Sequence, residues 1–189
     1  MDFHDEVINY KNLFSGTFNC ISDYNVNESF VELWARILNC GIFTYFMKNN
    51  ITYEKFKTIF ELNINIEAIY SIIQSKRLLE CFDINYNDII DIKKKNIVKT
   101  VYRENTNALC YYVITSILLF NFEKSINWFN ICNNNYLDCI KKDREIIIFC
   151  YFIKEMAVSK RLISFFEKIK KINLEKFTDL KMSIFNIEL

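Results

Sequence analysis

The sequence predicts an all-α fold, either a compact helical bundle or two stacked helical repeats of about 84 residues, and three observations carry that expectation. Apolar residues recur at three- and four-residue intervals, most plainly in Phe30, Leu33, Trp34, Ile37, Leu38, Gly41, Ile42, Tyr45 and Phe46, the spacing of one helix face. The chain holds no proline and two glycines, Gly16 and Gly41, so little interrupts a helix once it has started. No alternation of polar and apolar residues persists, and no Asn-Gly or Asp-Gly pair is present to turn a hairpin.

Taken in order, helices are expected at residues 2–14, 27–48, 52–62, 66–82, 86–102, 107–122, 123–132, 136–158, 159–172 and 174–185. The second is the clearest. Ser29 and Glu32 have the spacing of a capping box at its start, and Asn49 and Asn50 tolerate the left-handed conformation that ends a helix without glycine. Gly41 on its apolar face marks a place where another helix can come close. Asp83, Asn85 and Asn87 have the spacing that opens a calcium loop, but Asp88 stands where such a loop needs glycine and Lys94 where it needs a bidentate glutamate. Residues 83–88 are therefore read as an interhelical loop that caps the next helix. The run 108–120 carries no charge, yet a membrane span needs about 20 apolar residues, so it is read as a buried core helix with amphipathic neighbours on several sides.

Residues 1–26 are expected to form an N-terminal segment with a short helix, followed by a helical domain over 27–189. That domain divides into halves 27–106 and 107–189 if an internal echo is structural. Sliding the chain by 84 residues aligns 42–82 with 126–166, with Asn49/Asn133, Lys57/Lys141, Glu61/Glu145 and Ile69/Ile153 among the identical pairs. The longest match sets Ser75-Lys76-Arg77-Leu78 against Ser159-Lys160-Arg161-Leu162. A true duplication would stack two units, neither able to bury its apolar face alone.

The totals exclude several function classes. With 24 Lys plus Arg against 23 Asp plus Glu there is no bulk field to gather nucleic acid or an anionic membrane, so nucleic acid is not an expected partner. Seven scattered cysteines without a Cys-x-x-Cys pair fit reduced, mostly buried thiols in a cytoplasmic or nuclear protein. The first thirty residues lack the basic start and apolar run of a secretory signal. Heavy use of Ile, Asn, Lys, Phe and Tyr is what an AT-rich genome encodes, as in many large DNA viruses, protozoa and microsporidia.

Catalytic chemistry has little to work with. The one histidine, His4, lies near the chain start, and two isolated glycines cannot form a phosphate-cradling loop. No catalytic residue, metal ligand or cofactor is assigned. Basic clusters at Lys93 to Lys95, at Lys141, Lys142 and Arg144, and at Lys168, Lys170 and Lys171 are interleaved with acids and read as solvated helix faces. The candidate partner-binding residues are Lys76, Arg77, Lys160 and Arg161, because the repeated tetrapeptide marks either equivalent helix starts or equivalent partner contacts, and arginine anchors interfaces well.

Leu33-Trp34-Ala35-Arg36-Ile37 and Ile126-Asn127-Trp128 resemble parts of the Asn-Trp-Gly-Arg-Ile signature of the Bcl-2-like proteins, especially those encoded by poxviruses. The first lacks the signature's Asn and Gly and lies close to the amino terminus; the second lacks its Gly-Arg. The resemblance implies a buried central helix, to which 108–120 would correspond, and a role in blocking host apoptosis or innate signalling. The reading that leads from the residues themselves is a non-enzymatic protein-protein interaction module, an adaptor or inhibitor that binds another protein through an amphipathic helix or associates with itself. A third reading is a structural or RNA-associated helical-repeat subunit of a larger assembly.

Overall fold

The computed structural model describes residues 12–47, 52–132, 143–171 and 180–185. The fold is all-α, as the periodicity predicts; among the described residues the one β feature is an isolated parallel bridge between Ile21 and Arg103. Helical residues 12–17 form α1, followed by α2 (Val26–Phe46), α3 (Tyr53–Glu80), α4 (Tyr86–Ile90) and, after a single 3-10 turn at Ile92–Lys94, α5 (Lys95–Val101). A π-helical turn, Leu109–Ile114, runs into α6 (Thr115–Phe120) and is followed by α7 (Phe122–Cys132), α8 (Asp143–Ala157) and α9 (Lys160–Lys170).

The uncharged run 108–120 is the buried central helix that its composition predicts. Leu109, Cys110, Val113, Ile114, Ile117 and Leu118 are each fully buried, every such aliphatic side chain contributing about 1.5–3 kcal/mol relative to exposure. α2 and α3 pack on this helix and on each other, with α8 against its second half. One apolar cluster joins residues from Phe14 to Ile169, so the amino-terminal segment and both halves of the chain share a core. Among the described residues no helix is long and apolar enough to cross a membrane.

The π turn has a visible cause and a consequence. The Thr115 hydroxyl donates to the Cys110 carbonyl five residues back, at 3.0 Å. The wider turn leaves neighbouring carbonyls available sideways, and they are taken up by other helices: Arg36 Nη2 donates to Tyr111 O at 3.3 Å and Ser75 Oγ to Tyr112 O at 2.7 Å.

Several expected boundaries are corrected. The break expected between 62 and 66 does not exist, because Asn63 sits inside the interface and its amide donates to Thr44 Oγ1 at 2.8 Å; α3 runs unbroken for 28 residues. The single helix expected over 86–102 is interrupted at Asp91, whose backbone is extended and whose carboxylate caps the following 3-10 turn. α2 starts at Val26, ahead of the Ser29 and Glu32 capping box, which is absent: Ser29 Oγ donates to Val26 O, and Glu32 pairs with Arg36. A capping box does form in the loop read as a cap, where Asn85 and Asp88 exchange bonds at the start of α4. Asp83 adopts φ 54° there. Gly41 is not a close-approach point, since an added Cβ would meet only the Phe60 ring at an ordinary 3.8 Å. Residues 180–185, expected to end a helix, are non-helical and form a strap across α2 and α3. The expected stops Asn49 and Asn50, residues 1–11, 133–142 and the start of the last expected helix lie outside the described residues.

Glu104 fastens the entry to the central helix. Its carboxylate accepts from Ser22 Oγ, from the Thr106, Ala108 and Leu109 amides and from the Thr106 hydroxyl. Burial alone would raise its pKa, but the donors outweigh that and hold it below the usual carboxylate value. A depressed folded pKa means stability that is present above the unfolded value near 4.5 and lost as pH falls through the folded one. Glu104→Gln should therefore lower stability at neutral pH and flatten its loss below pH 4.5. Urea titrations from pH 3 to 7 that give parallel curves for both proteins would refute this.

Candidate functional site

The four residues singled out from the sequence do not converge. Lys76 lies near the end of α3, 9% exposed, with its ammonium 2.9 Å from Glu80 Oε1, and Arg77 beside it is half-buried. Lys160 and Arg161 open α9 and are exposed, with Ser159 capping that helix by accepting from the Leu162 amide. The two tetrapeptides are thus not equivalent helix starts: one is the last turn of a continuous helix, the other a first turn after a break. The break at Val158 and Ser159 has no counterpart in α3, where the matching position is buried Gln74. Lys76 borders a cleft of about 300 Å³ shared with Glu80, Glu167 and Lys170. Arg161 lies over the Phe120 ring at 4.9 Å and borders a second cleft of about 450 Å³ between α3 and α9.

A buried polar seam joins α2, α3, the π turn and the strap. Arg36, 1% exposed, donates from Nε to Glu32 at 2.8 Å and from Nη1 to Ser71 Oγ at 2.7 Å. The same Nη1 stands 3.5 Å from Glu67 Oε1, at ion-pair distance but without a hydrogen bond. Glu67 is fully buried, and its second oxygen accepts from Ser183 Oγ at 2.9 Å and the Ile184 amide at 3.1 Å. Burial pushes its pKa up; Arg36 and the strap donors only partly offset that. The strap is fixed a second time by Asn39 Nδ2, which donates to Ser183 Oγ and Phe185 O, and by Phe43 and Phe185 rings 4.6 Å apart. With no exposed edge on Arg36 or Glu67, the seam orders helices.

Helix α2 is apolar on two opposite sides. One side, with Phe30, Leu33, Ile37 and Cys40, is buried in the core. The other carries Val31, Ala35, Leu38, Ile42 and Tyr45, separated by steps of four, three, four and three, and all of them are exposed. Leu38 is 55% exposed, Tyr45 65%, and the adjoining Phe46 72%. From Leu33 to Met47 the one charged residue is the buried Arg36. An apolar stripe of this length facing water is unusual for a monomer and is the commonest mark of a contact surface. No family profile, curated protein or solved structure matches this chain.

Reactive groups are scarce among the described residues. No cluster of three His, Cys, Asp or Glu side chains is placed to hold a metal. Burial pushes the thiols of Cys20 and Cys40 up to about 12 and raises those of Cys110 and Cys150, so these four stay protonated at neutral pH. Most of the described cysteines are thus buried, as expected; Cys81 and Cys132 are the exposed ones among them. Sequence reasoning missed both the seam and the stripe. Leu38, Ile42, Tyr45 and Phe46 were on the apolar list, but so were Phe30, Leu33 and Ile37, and the width of that list was the available signal: it exceeds one face.

Proposed function

We propose that this chain is a non-enzymatic helical interaction module, an adaptor or inhibitor that binds protein through the outer face of α2. The observation that carries the reading is the exposed stripe from Val31 to Tyr45, uncharged and lying on a helix whose opposite side is locked into the core. Apolar area removed from water is worth about 25 cal/mol per Å² before association costs. A rigid, neutral helix face offers that gain without first having to order itself. The clefts support an RNA-associated role less well, because Lys76 and Lys170 share theirs with Glu80 and Glu167, where a phosphate would meet carboxylates. A Bcl-2-like role draws on one specific feature, the buried helix at 109–120; saturable binding of an amphipathic peptide that competes with α2 contacts would favour it.

Site-specific photo-crosslinking tests the proposal. A benzophenone side chain replacing Leu38 in the full chain, expressed in its native cell, should give protein adducts of discrete mass. The same group at exposed Tyr151 of α8 should not, and adding Ile42→Asp to the Leu38 probe should remove the adducts while helix content stays constant. Equal labelling from both positions, or none from Leu38, would count against α2 as the binding surface.

A further inference from the structure

We infer that the outer face of α2 seats a second copy of this chain, with the two α2 helices antiparallel across a two-fold axis at Leu38. The inference rests on the reading of α2 as the binding surface and names its occupant.

Two features of the stripe favour a second copy. The stripe is centred on Leu38, with Val31 seven residues before it and Tyr45 seven after, so a two-fold axis there sets Val31 level with the partner's Tyr45 and Leu38 with its own copy, and brings Ala35 and the partner's Ile42 to within one residue of level. Side chains also grade in size along it, from Val31 and Ala35 at the amino-terminal end to Ile42 and Tyr45 at the other. Antiparallel apposition sets Val31 against the partner's Tyr45, Ala35 against the partner's Ile42 and Leu38 against the partner's Leu38. Every layer then joins a small chain with a large one or two equal ones, and the helix axes keep a constant separation near 8–10 Å. Parallel apposition would set tyrosine on tyrosine and alanine on alanine, wedging one end apart.

Charge and area agree with this arrangement. Because Arg36 is buried, two copies of the face meet with no like charges opposed, and there is no complementary charge to select a different, charged partner. Nor does a cation flank the stripe between Leu33 and Met47, as a face built for anionic lipid would show. From their exposures, Val31, Leu38, Ile42, Tyr45 and Phe46 offer on the order of 600 Å² per copy, three-quarters of the about 800 Å² per partner in standard interfaces. Exposed Ile184, on the strap held beside Asn39, extends the rim.

Sedimentation equilibrium on the purified full chain, followed by disulfide trapping, tests the inference. A monomer-dimer equilibrium is expected, with Leu38→Glu raising the dissociation constant about a hundredfold or more, since two carboxylates would face each other at the axis. With Cys81, Cys132 and Cys139 changed to serine, mild oxidation should link Val31→Cys to Tyr45→Cys only when the two variants are mixed, while Leu38→Cys should link to itself. A chain that stays monomeric, a dimer insensitive to Leu38→Glu, or links of Val31→Cys to itself would each overturn the inference. So would Leu38-dependent binding to phosphatidylcholine vesicles by a monomer. Discrete adducts to other proteins from a monomeric chain would remove the second copy but keep α2 as the surface; loss of those adducts as well would remove both.

Discussion

Arg36→Met is expected to destabilise the chain by about 3–5 kcal/mol, and combining it with Glu67→Leu should restore most of that loss. Arg36 and Glu67 are 1% and 0% exposed, so removing the guanidinium leaves a carboxylate in the interior with only Ser183 and the Ile184 amide to solvate it. The Tyr111 carbonyl and Ser71 hydroxyl also lose their donor. Replacing both charges by apolar chains of similar length removes the uncompensated charge and leaves a few neutral groups to be satisfied. The single variant has a pH signature. Glu67 already has a raised folded pKa, and losing its cation raises it further; a raised carboxylate pKa gives stability that is full below the unfolded value and lost as pH rises through the folded one. Arg36→Met should therefore lose more stability than the parent between pH 5 and 8, a difference absent from the double variant. Equilibrium denaturation of all three proteins at both pH values decides this. A double variant as unstable as the single one would show that packing around Arg36, and not its charge, matters. Glu67→Leu should in addition release the strap, read as faster exchange of the Ile184 amide.

Phe129→Ala is expected to cost about 3–5 kcal/mol. Phe129 is fully buried on α7 at the centre of an aromatic cluster, with ring centres 5.1 Å from Phe30, 5.3 Å from Trp128, 5.7 Å from Phe149 and 6.3 Å from Trp34. These rings come from α2, α7 and α8, so one truncation opens a cavity where three helices meet. Phe129→Leu should cost less than half as much, because it keeps most of the volume. Phe46→Ala, on the exposed stripe, should change stability by no more than about 0.5 kcal/mol when measured on the monomer. Comparable losses at Phe46 and Phe129 would mean that the outer face of α2 is covered within the chain itself, and would remove the basis for the docking surface.

Much of the helix pattern was legible because its causes are local. Residues 27–48, 123–132 and 159–172 were expected as helices and fall within two residues of α2, α7 and α9 at each end that can be compared. The Asn85 and Asp88 cap was legible for the same reason, since a capping box needs residues only three apart. Where local signals misled, a distant partner had changed the balance. A break was expected between the helices at 52–62 and 66–82, but Asn63 is held by Thr44 from another helix and the chain continues. Ser29 and Glu32 look like a cap, but Glu32 is held by Arg36 and the helix starts earlier. The Ser-Lys-Arg-Leu echo suggested equivalence, yet its copies differ in burial and position because the neighbours of α3 and α9 differ.

By itself the sequence determined that this chain is helical and where its most apolar helix lies. Spacing, capping residues and the scarcity of breakers act over a few residues, and 108–120 is too uniformly apolar to leave the core. Tertiary structure alone decided which side of α2 went inward. Phe30 and Leu38, or Ile37 and Ile42, are equals by composition and periodicity, and they are separated only by what α3, the central helix and α7 bring against one side. It also paired Arg36 with Glu67 across 31 residues of sequence. Burial and ion pairing depend on which surfaces meet, and the order of residues along the chain does not specify that locally.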